Sequence, residues 1–394
     1  MAKGAYIGTS GTAKKIKKLY VGINGTAKKV KRAYIGVGGV AKLWWAGGGG
    51  QTLLYGDVTA AGATAIYSSP DDPATSYTAL ETPPAKFQYI LFDEANNRFI
   101  GLIGENYYIT AYSMPVGGTT WTLIIKSVYI YSGPLSSSIA RPFVKDNYIY
   151  FYNSGGANYN RMSLADGSVS AFQQWTPSVY QVMDILNYAN GYFIGMLGYG
   201  NQYGKSYYIA YTTGINAAWS VRSLWDASTS DYWNVHFGGT YAQGRNNYKP
   251  AIWYENGNYY LVRWLSSAVY VLKGTTFNNL TQVASYNIYS VAGQYANLID
   301  YIFGGLMIAG SNGTYICSVD STSSSQISTG DASINGWFRD TWKTGNTMYV
   351  TYQVGTSPNT KTYLKYNKGG NWTVIEITSF SGYSIYHLAS SIKD

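Results

Sequence analysis

The sequence has few charged residues, a single cysteine and no long apolar run. Charged residues make up only 12% of its 394 residues, about half the usual share. The one cysteine, Cys317, excludes a disulfide within the chain. No apolar run approaches the roughly 18 residues of a membrane helix, and the N-terminus lacks the apolar stretch of a signal peptide. We therefore expect a protein made in the cytoplasm with no membrane anchor.

The sequence also lacks the common catalytic motifs. Two histidines, His236 and His387, are too few for a histidine-based metal site or catalytic triad. There is no zinc-ligand spacing, phosphate-binding loop, dinucleotide fingerprint or nucleophile elbow. The scattered carboxylates offer no defensible pair for cleaving a glycosidic bond. We therefore expect no enzymatic activity and no cofactor.

Aromatic residues and glycine dominate what remains. The chain contains 42 Tyr, 12 Trp and 45 Gly. Aromatic side chains fit a pleated, half-buried surface, and glycine supplies turns. This composition predicts an all-β protein.

Positive charge is concentrated at the N-terminus. Residues 1–45 hold ten Lys or Arg and no acid, whereas the rest carries 18 basic against 19 acidic residues. The same 45 residues contain a 14-residue repeat, in which Tyr-Ile/Val-Gly leads through a turn to a Lys-containing return segment. The turns Ser10-Gly11, Asn24-Gly25 and Gly38-Gly39 favour tight hairpins. We predict a small antiparallel meander over residues 4–45, followed by a flexible glycine linker at residues 46–50.

A sheet this small cannot bury its own aromatic rows, so the module must be covered by something else. Symmetric copies of the same module, or a socket on another protein, would provide the cover. Lysines flanked by tyrosines also fit nucleic-acid binding, but the identical spacing favours a packed structural repeat over that reading. The residues expected to dock are Tyr6, Tyr20, Tyr34, Lys14, Lys28, Trp44 and Trp45.

A longer repeat of about 50 residues begins at residue 51. Its clearest copies read Tyr-Tyr-Ile-Thr-Ala-Tyr112 and Tyr-Tyr-Ile-Ala-Tyr211, each followed by a turn and a tryptophan. A strand, tight turn and strand precede six of the seven copies. Each unit then contains four strands, which is the pattern of a propeller blade. The seven anchor positions are Tyr67, Tyr112, Met162, Tyr211, Tyr270, Ile316 and Tyr366.

Seven units in residues 51–394 predict a seven-bladed β-propeller. The first unit has little room before Tyr67, while the segment around His387 forms an extra strand at the C-terminus. We infer that this terminal strand completes the first blade. Closure of the ring removes an open edge that would otherwise favour aggregation.

Two resemblances extend these predictions. The turn from Ser113 through Gly117 and Gly118 to Trp121 resembles the Ser-x-Asp-x-Gly-x-x-Trp turn of sialidase-like propellers, although it lacks the acid. Such turns are structural in that family, so this resemblance concerns the fold alone. The N-terminal repeats resemble segments at the start of tail, baseplate and fibre proteins from phages of Gram-positive bacteria. That resemblance implies membership of a virion, with other virion proteins as partners and synthesis in the host cytoplasm. Because phage fibres and spikes are commonly trimeric, it also implies that three copies of the chain associate through the repeats.

The function predicted is that of a non-enzymatic phage structural protein that displays its propeller for host-surface recognition. Loops combining aromatics with amides suit a glycan, because sugar faces stack on rings while hydroxyls bond to amides. Three alternatives stay open: a propeller glycan hydrolase, a capsid decoration protein without a receptor role, and loops that only pack on one another. The candidate ligand-binding residues are Tyr199, Asn201, Tyr203, Trp225, Tyr232, Trp233 and Arg245.

Overall fold

The chain is all-β in the part that the structure describes, and its sheets are antiparallel. The regular elements are β-strands, numbered in chain order, one short 3-10 helix, Phe277–Asn279, and helical residues 290–291. The computed structural model describes residues 6–9, 12–15, 20–23, 26–29, 32–37, 40–46, 50–57, 63–69, 77–105, 107–130, 142–153, 158–171, 180–201, 204–214, 220–227, 235–236, 252–265, 268–287, 290–291, 298–302, 305–310, 313–321, 324–326, 337–344, 347–354, 361–368, 371–377 and 385–391.

The N-terminal segment forms three two-stranded hairpins. Tyr6 pairs with Lys15 in the first and Tyr20 with Lys29 in the second, so the 14-residue repeat keeps its register. No ladder joins one hairpin to the next among the described residues, so the predicted continuous meander is wrong. Turn residues occur only at the hairpin tips, and the connections at 16–19 and 30–31 carry none. The hairpins are β1 (Tyr6–Thr9) with β2 (Thr12–Lys15), β3 (Tyr20–Ile23) with β4 (Thr26–Lys29), and β5 (Arg32–Val37) with β6 (Val40–Ala46).

Seven larger sheets follow in the described part of residues 51–394. Sheet 1 begins with the C-terminal strand of the chain: β35 (Ile385–Ser390) pairs with β7 (Thr52–Asp57), which pairs with β8 (Thr64–Ser69) and then β9 (Thr78–Ala79). Sheets 2 to 4 each use four consecutive strands. They are β10 (Tyr89–Asp93), β11 (Arg98–Glu105), β12 (Tyr108–Pro115) and β13 (Thr122–Tyr129); β14 (Phe143–Lys145), β15 (Tyr148–Asn153), β16 (Asn158–Ser163) and β17 (Val169–Ala171); and β18 (Tyr180–Ala189), β19 (Tyr192–Asn201), β20 (Gly204–Thr212) and β21 (Ser220–Ala227).

Sheet 5 differs from its neighbours because two short strands share the first position. They pair with opposite ends of the same second strand. Its strands are β22 (Val235–His236), β23 (Ile252–Glu255), β24 (Asn258–Leu265), β25 (Ala268–Gly274) and β26 (Thr281–Asn287). Sheets 6 and 7 are β27 (Leu298–Ile302), β28 (Gly305–Gly310), β29 (Gly313–Ser318) and β30 (Ser324–Gln326); and β31 (Trp337–Thr344), β32 (Thr347–Val354), β33 (Lys361–Lys368) and β34 (Asn371–Glu376).

The predicted anchors mark one strand position in all seven sheets. Each anchor lies in the third strand, where Tyr, Met or Ile fits a strand with neighbours on both sides. In chain order they are Tyr67 in β8, Tyr112 in β12, Met162 in β16, Tyr211 in β20, Tyr270 in β25, Ile316 in β29 and Tyr366 in β33.

Sheets 1 to 6 pack against one another in sequence order. Tyr150 of sheet 3 lies 5.1 Å from Phe193 of sheet 4, measured between ring centroids. Among the described residues, five buried apolar clusters each span two sheets, and one of them packs sheet 7 against sheet 1. The pairs include Leu388 with Tyr349 for sheets 1 and 7, Ile66 with Phe99 for sheets 1 and 2, Leu102 with Phe151 for sheets 2 and 3, Ile194 with Leu261 for sheets 4 and 5, and Val271 with Ile308 for sheets 5 and 6.

Antiparallel pairing gives each sheet two distinct ends. We call end A the edge with the turns from first to second and from third to fourth strand. End B carries the turns from second to third strand and the connections between sheets. The chain enters sheet 1 at Gln51, at end A, and β35 finishes there, with the Ser391 amide donating to the Gln51 carbonyl at 3.0 Å.

The turn between the third and fourth strands of sheet 2 ties it to sheet 1. Gly117 adopts φ +75, a conformation that favours glycine. Its amide donates to Oε1 of Gln51 at 2.8 Å. The Trp121 ring packs edge-on against Phe87 at 4.7 Å between centroids. The predicted Ser113–Trp121 turn therefore has a structural role at end A.

Candidate functional site

A buried carboxylate at end A holds a hairpin turn. Asp93, only 1% exposed, accepts hydrogen bonds from Arg98 Nε at 2.9 Å and Asn96 Nδ2 at 2.7 Å. Arg98 and Asn96 also donate to the Asn147 side chain of sheet 3, at 3.4 and 3.3 Å. Asp93 thus stabilises its own turn and the junction between sheets 2 and 3, because buried charge requires paired partners.

Similar contacts continue along end A into sheets 4 and 5. Lys145 Nζ of sheet 3 lies 4.1 Å from the centroid of the Tyr188 ring in sheet 4. Asn190 Nδ2 of sheet 4 donates to the Tyr259 hydroxyl of sheet 5 at 2.9 Å. Burial raises the pKa of Tyr259, which keeps its hydroxyl protonated. Polar side chains at end A therefore link neighbouring sheets.

An exposed aromatic cluster lies at end B of sheet 2. Tyr107, Tyr108 and Tyr129 are each 46% exposed. The ring centroid of Tyr129 lies 5.5 Å from that of Tyr108 and 6.2 Å from that of Tyr107. Tyr108 and Tyr129 are paired across β12 and β13. These three side chains, which we call the tyrosine platform, form the candidate site.

Three of the predicted ligand-binding residues lie in sheet 4. Tyr199 and Asn201 occupy the last part of β19, where Tyr199 pairs with Ser206, and Trp225 in β21 pairs with Tyr207. These positions are at end B of sheet 4, so the register brings the three into one region of the sheet. The remaining predicted residues, outside the described part of the chain, are Tyr203, Tyr232, Trp233 and Arg245.

The predicted docking residues lie on the N-terminal hairpins. Each hairpin places its tyrosine on the first strand and its lysine or tryptophans on the second. Tyr34 keeps the register of the repeat, because it pairs with Leu43 as Tyr6 pairs with Lys15, and the bulge of the third hairpin lies just before it, between Ala33 and Tyr34. The strand positions are Tyr6 in β1, Lys14 in β2, Tyr20 in β3, Lys28 in β4, Tyr34 in β5, and Trp44 and Trp45 in β6.

The tyrosine platform was missed in the sequence. Tyr107 and Tyr108 belong to the Tyr-Tyr-Ile pattern that marks a third strand, and aromatics in strands usually indicate core. The position of β13, which the sequence does not reveal, determines that Tyr129 lies opposite Tyr108. The available signal was the second such pattern, at Tyr207 and Tyr208, beside residues already predicted to bind a ligand.

Other reactive groups have structural environments. Cys317 is fully buried, and burial raises the pKa of its thiol to about 12, so the thiolate nucleophile is not formed near neutral pH. Within the described residues no three His, Cys, Asp or Glu side chains cluster as metal ligands. The described part also holds no helix that is long and apolar enough to cross a membrane.

Comparisons with known proteins give only distant structural likenesses. No protein-family model and no curated protein matches the chain. A protein from Lactobacillus plantarum has a TM-score of 0.49 at 13% identity, covering 86% of this chain and 95% of its own. TolB from Acinetobacter baumannii scores 0.43 at 10% identity, covering 87% and 66%. A nidogen/laminin complex scores 0.37 at 11% identity, covering 69% and 90%. At such scores these likenesses support neither an activity nor a partner for this chain.

Proposed function

We propose that the chain is a non-enzymatic structural protein of a phage particle. In this proposal residues 1–45 dock the protein to the virion, residues 46–50 form a linker, and residues 51–394 form a displayed domain that recognises host-surface carbohydrate. The observation that carries it is the opposition of the two ends. The chain leaves the N-terminal hairpins and enters sheet 1 at end A, whereas the exposed tyrosine platform lies at end B.

The displayed domain is proposed to be a seven-bladed β-propeller closed by the C-terminal strand. Support comes from the order of the packed sheets, since sheet 7 contacts sheet 1 through Leu388 and Tyr349. The pairing of β35 with β7 also supports the proposal. A ring closed by pairing the first and last strands of residues 51–394 has no free edge at that blade. Contacts between Gln51 and Ser391 hold those ends together.

The N-terminal hairpins are proposed to dock to other virion proteins. A two-stranded hairpin is marginally stable alone, so the repeats need a partner surface. Three copies of the chain, or a socket on a tail or capsid protein, would supply it. The shared register of Tyr6 with Lys15 and Tyr20 with Lys29 supports a repeated packing surface rather than binding of nucleic acid.

The proposal is tested by cell retention and sugar release in one experiment. The full chain, immobilised on beads, is expected to retain Gram-positive cells while the supernatant gains no reducing sugar. Release of sugar above that of protein-free beads would contradict a binding role and favour a glycan hydrolase. Failure to retain any cells of a panel that includes the host would favour a decoration protein without a receptor role.

A further inference from the structure

The tyrosine platform leaves aromatic surface open to solvent. Among the described residues only two other large apolar side chains are comparably exposed, Leu123 and Tyr254, and neither lies next to the platform. Exposed aromatic groups of this kind mark binding surfaces more often than isolated exposed residues do. The grouping of three exposed tyrosines at one end of one sheet therefore indicates a ligand-binding surface.

A backbone irregularity builds the platform. Ala111 pairs with Ile125 but Ile109 pairs with Val128, so β13 contains one extra residue over this stretch. Ser127 lies there with φ +47, and its amide donates to Thr110 Oγ1 at 3.2 Å. Without the extra residue the register would place Val128 rather than Tyr129 opposite Tyr108. β-Bulges re-aim side chains in this way near functional sites.

The same device occurs in sheet 4. Tyr208 pairs with Ser223 and Tyr207 with Trp225, so β21 also holds an extra residue just before the aromatic pair. Both sheets have a Tyr-Tyr-Ile segment at or near the start of the third strand, and the fourth strand places an aromatic residue opposite one of its tyrosines at end B, Tyr129 opposite Tyr108 and Trp225 opposite Tyr207. Two matching positions in one chain suit a ligand whose chemical unit repeats.

The composition of the platform favours an uncharged sugar polymer. A tyrosine offers an apolar face and a hydroxyl at its tip, which match the C–H face and the hydroxyls of a sugar ring. Among the described residues at end B of sheet 2, the charged side chains are one exposed acid, Glu105 in β11, and one exposed base, Lys126 in β13, so these two charges offset each other and do not select an ionic ligand.

The area of the platform argues against a second protein chain. Three tyrosines at 46% exposure offer roughly 300 Å² if each ring buries on the order of 200 Å² when fully covered. A stable protein interface needs about 800 Å² from each partner. The platform is large enough for one or two sugar rings, and a polymer gains further binding from a second site.

We propose that Tyr107, Tyr108 and Tyr129 bind the uncharged sugar rings of a repeating surface polysaccharide. The inference rests on the proposed function and specifies its ligand class and its site. Tyr108 and Tyr129 supply the stacking faces, and the bulge at Ser127 holds them opposite each other.

The test is affinity electrophoresis of the full chain in native gels. The gels contain laminarin, galactomannan, dextran or the neutral polysaccharide extracted from Gram-positive cells that the immobilised chain retains. At least one is expected to retard the chain. Tyr108→Ala and Tyr129→Ala should each weaken that binding by about tenfold or more, which is about 1.4 kcal/mol. Tyr108→Phe, which keeps the ring, should lose much less.

Tyr254→Ala is the matched control. Tyr254 is 40% exposed and packs on Tyr259 at 4.8 Å, but it lies at end A. Its loss should leave polysaccharide binding unchanged. Unchanged urea midpoints for all four variants would establish that they are folded.

Each other outcome overturns this inference without ambiguity. If cells are retained but no polysaccharide retards the chain, or if the alanine variants bind as well as the wild type, the platform is not the site and the proposed function stands. If Tyr254→Ala weakens binding equally, the effect is not specific to end B. If the platform variants change the mass of the chain in solution instead, the surface joins copies of the protein. If no cells are retained, the proposed function itself fails.

Discussion

Truncating Leu388 to alanine should destabilise the domain through the packing between sheets 1 and 7. Leu388 lies in β35, is fully buried, and packs with Leu54 of β7 and Tyr349 of sheet 7, both also fully buried. Removing a buried leucine side chain costs about 2–5 kcal/mol, and more where the surroundings cannot collapse into the cavity. All three residues lie in hydrogen-bonded strands, which limits how far they can move into the cavity. We therefore expect the free energy of unfolding to fall by about 3 kcal/mol.

Urea unfolding followed by tryptophan fluorescence measures this loss. With a slope of about 3 kcal/mol per molar urea, the midpoint should fall by roughly 1 M at an unchanged slope. Leu123→Ala is the control, since Leu123 is 43% exposed and its loss should change stability by less than about 0.5 kcal/mol. If Leu388→Ala lowers the free energy of unfolding as little as Leu123→Ala does, the C-terminal strand is not part of the cooperative core and closure through β35 is refuted.

Three further predictions concern stability and assembly. Asp93→Asn should lower the free energy of unfolding in urea by about 2 kcal/mol, since the partly buried Arg98 loses its charged partner. The control, Asp320→Asn in an exposed pair, should lower it by less than about 1 kcal/mol. Equal losses for the two variants would contradict the role assigned to Asp93. Burial raises the pKa of Cys317 to about 12 from 9.0, so the unfolded thiol ionises first. The contribution of the protonated Cys317 thiol to the free energy of unfolding should therefore be fully present below pH 9 and fall by about 1.4 kcal/mol per pH unit between 9 and 12. Cys317→Ala should show a shallower decline with pH, and an identical decline would contradict this. Light scattering should give an oligomer for the full chain and a monomer for residues 51–394; monomers in both would leave only docking to another protein.

The sequence allowed much of the strand order to be predicted, because the repeat carries its own markers. Tyr112 and Tyr211 identified third strands by their Tyr-Ile pattern, and the short first unit before Tyr67 indicated that a strand must come from elsewhere. The N-terminal meander was wrong because strong hairpin turns say nothing about pairing between hairpins. Local turn chemistry determines a hairpin, whereas the next pairing depends on connections without turn residues.

The candidate site was harder to predict, because exposure depends on register. A tyrosine in a strand looks the same in sequence whether it faces the core or solvent. β13 shifts register twice against β12, and the second shift, between Ile125 and Val128, places Tyr129 rather than Val128 opposite Tyr108. Each added residue changes which side chains share a face. The loops rich in aromatics and amides led instead to Tyr199 and Trp225, which lie at the corresponding end of sheet 4.

The presence of the chain in purified phage particles, with and without residues 1–45, tests the central claim most directly. The measurement is an immunoblot of gradient-purified particles, normalised to the major capsid protein, from hosts producing either form. We predict that the full chain is incorporated, and that residues 46–394 are soluble in the lysate but missing from the particles. Incorporation of the truncated chain at the level of the full chain, or particles that contain neither form, would contradict the account.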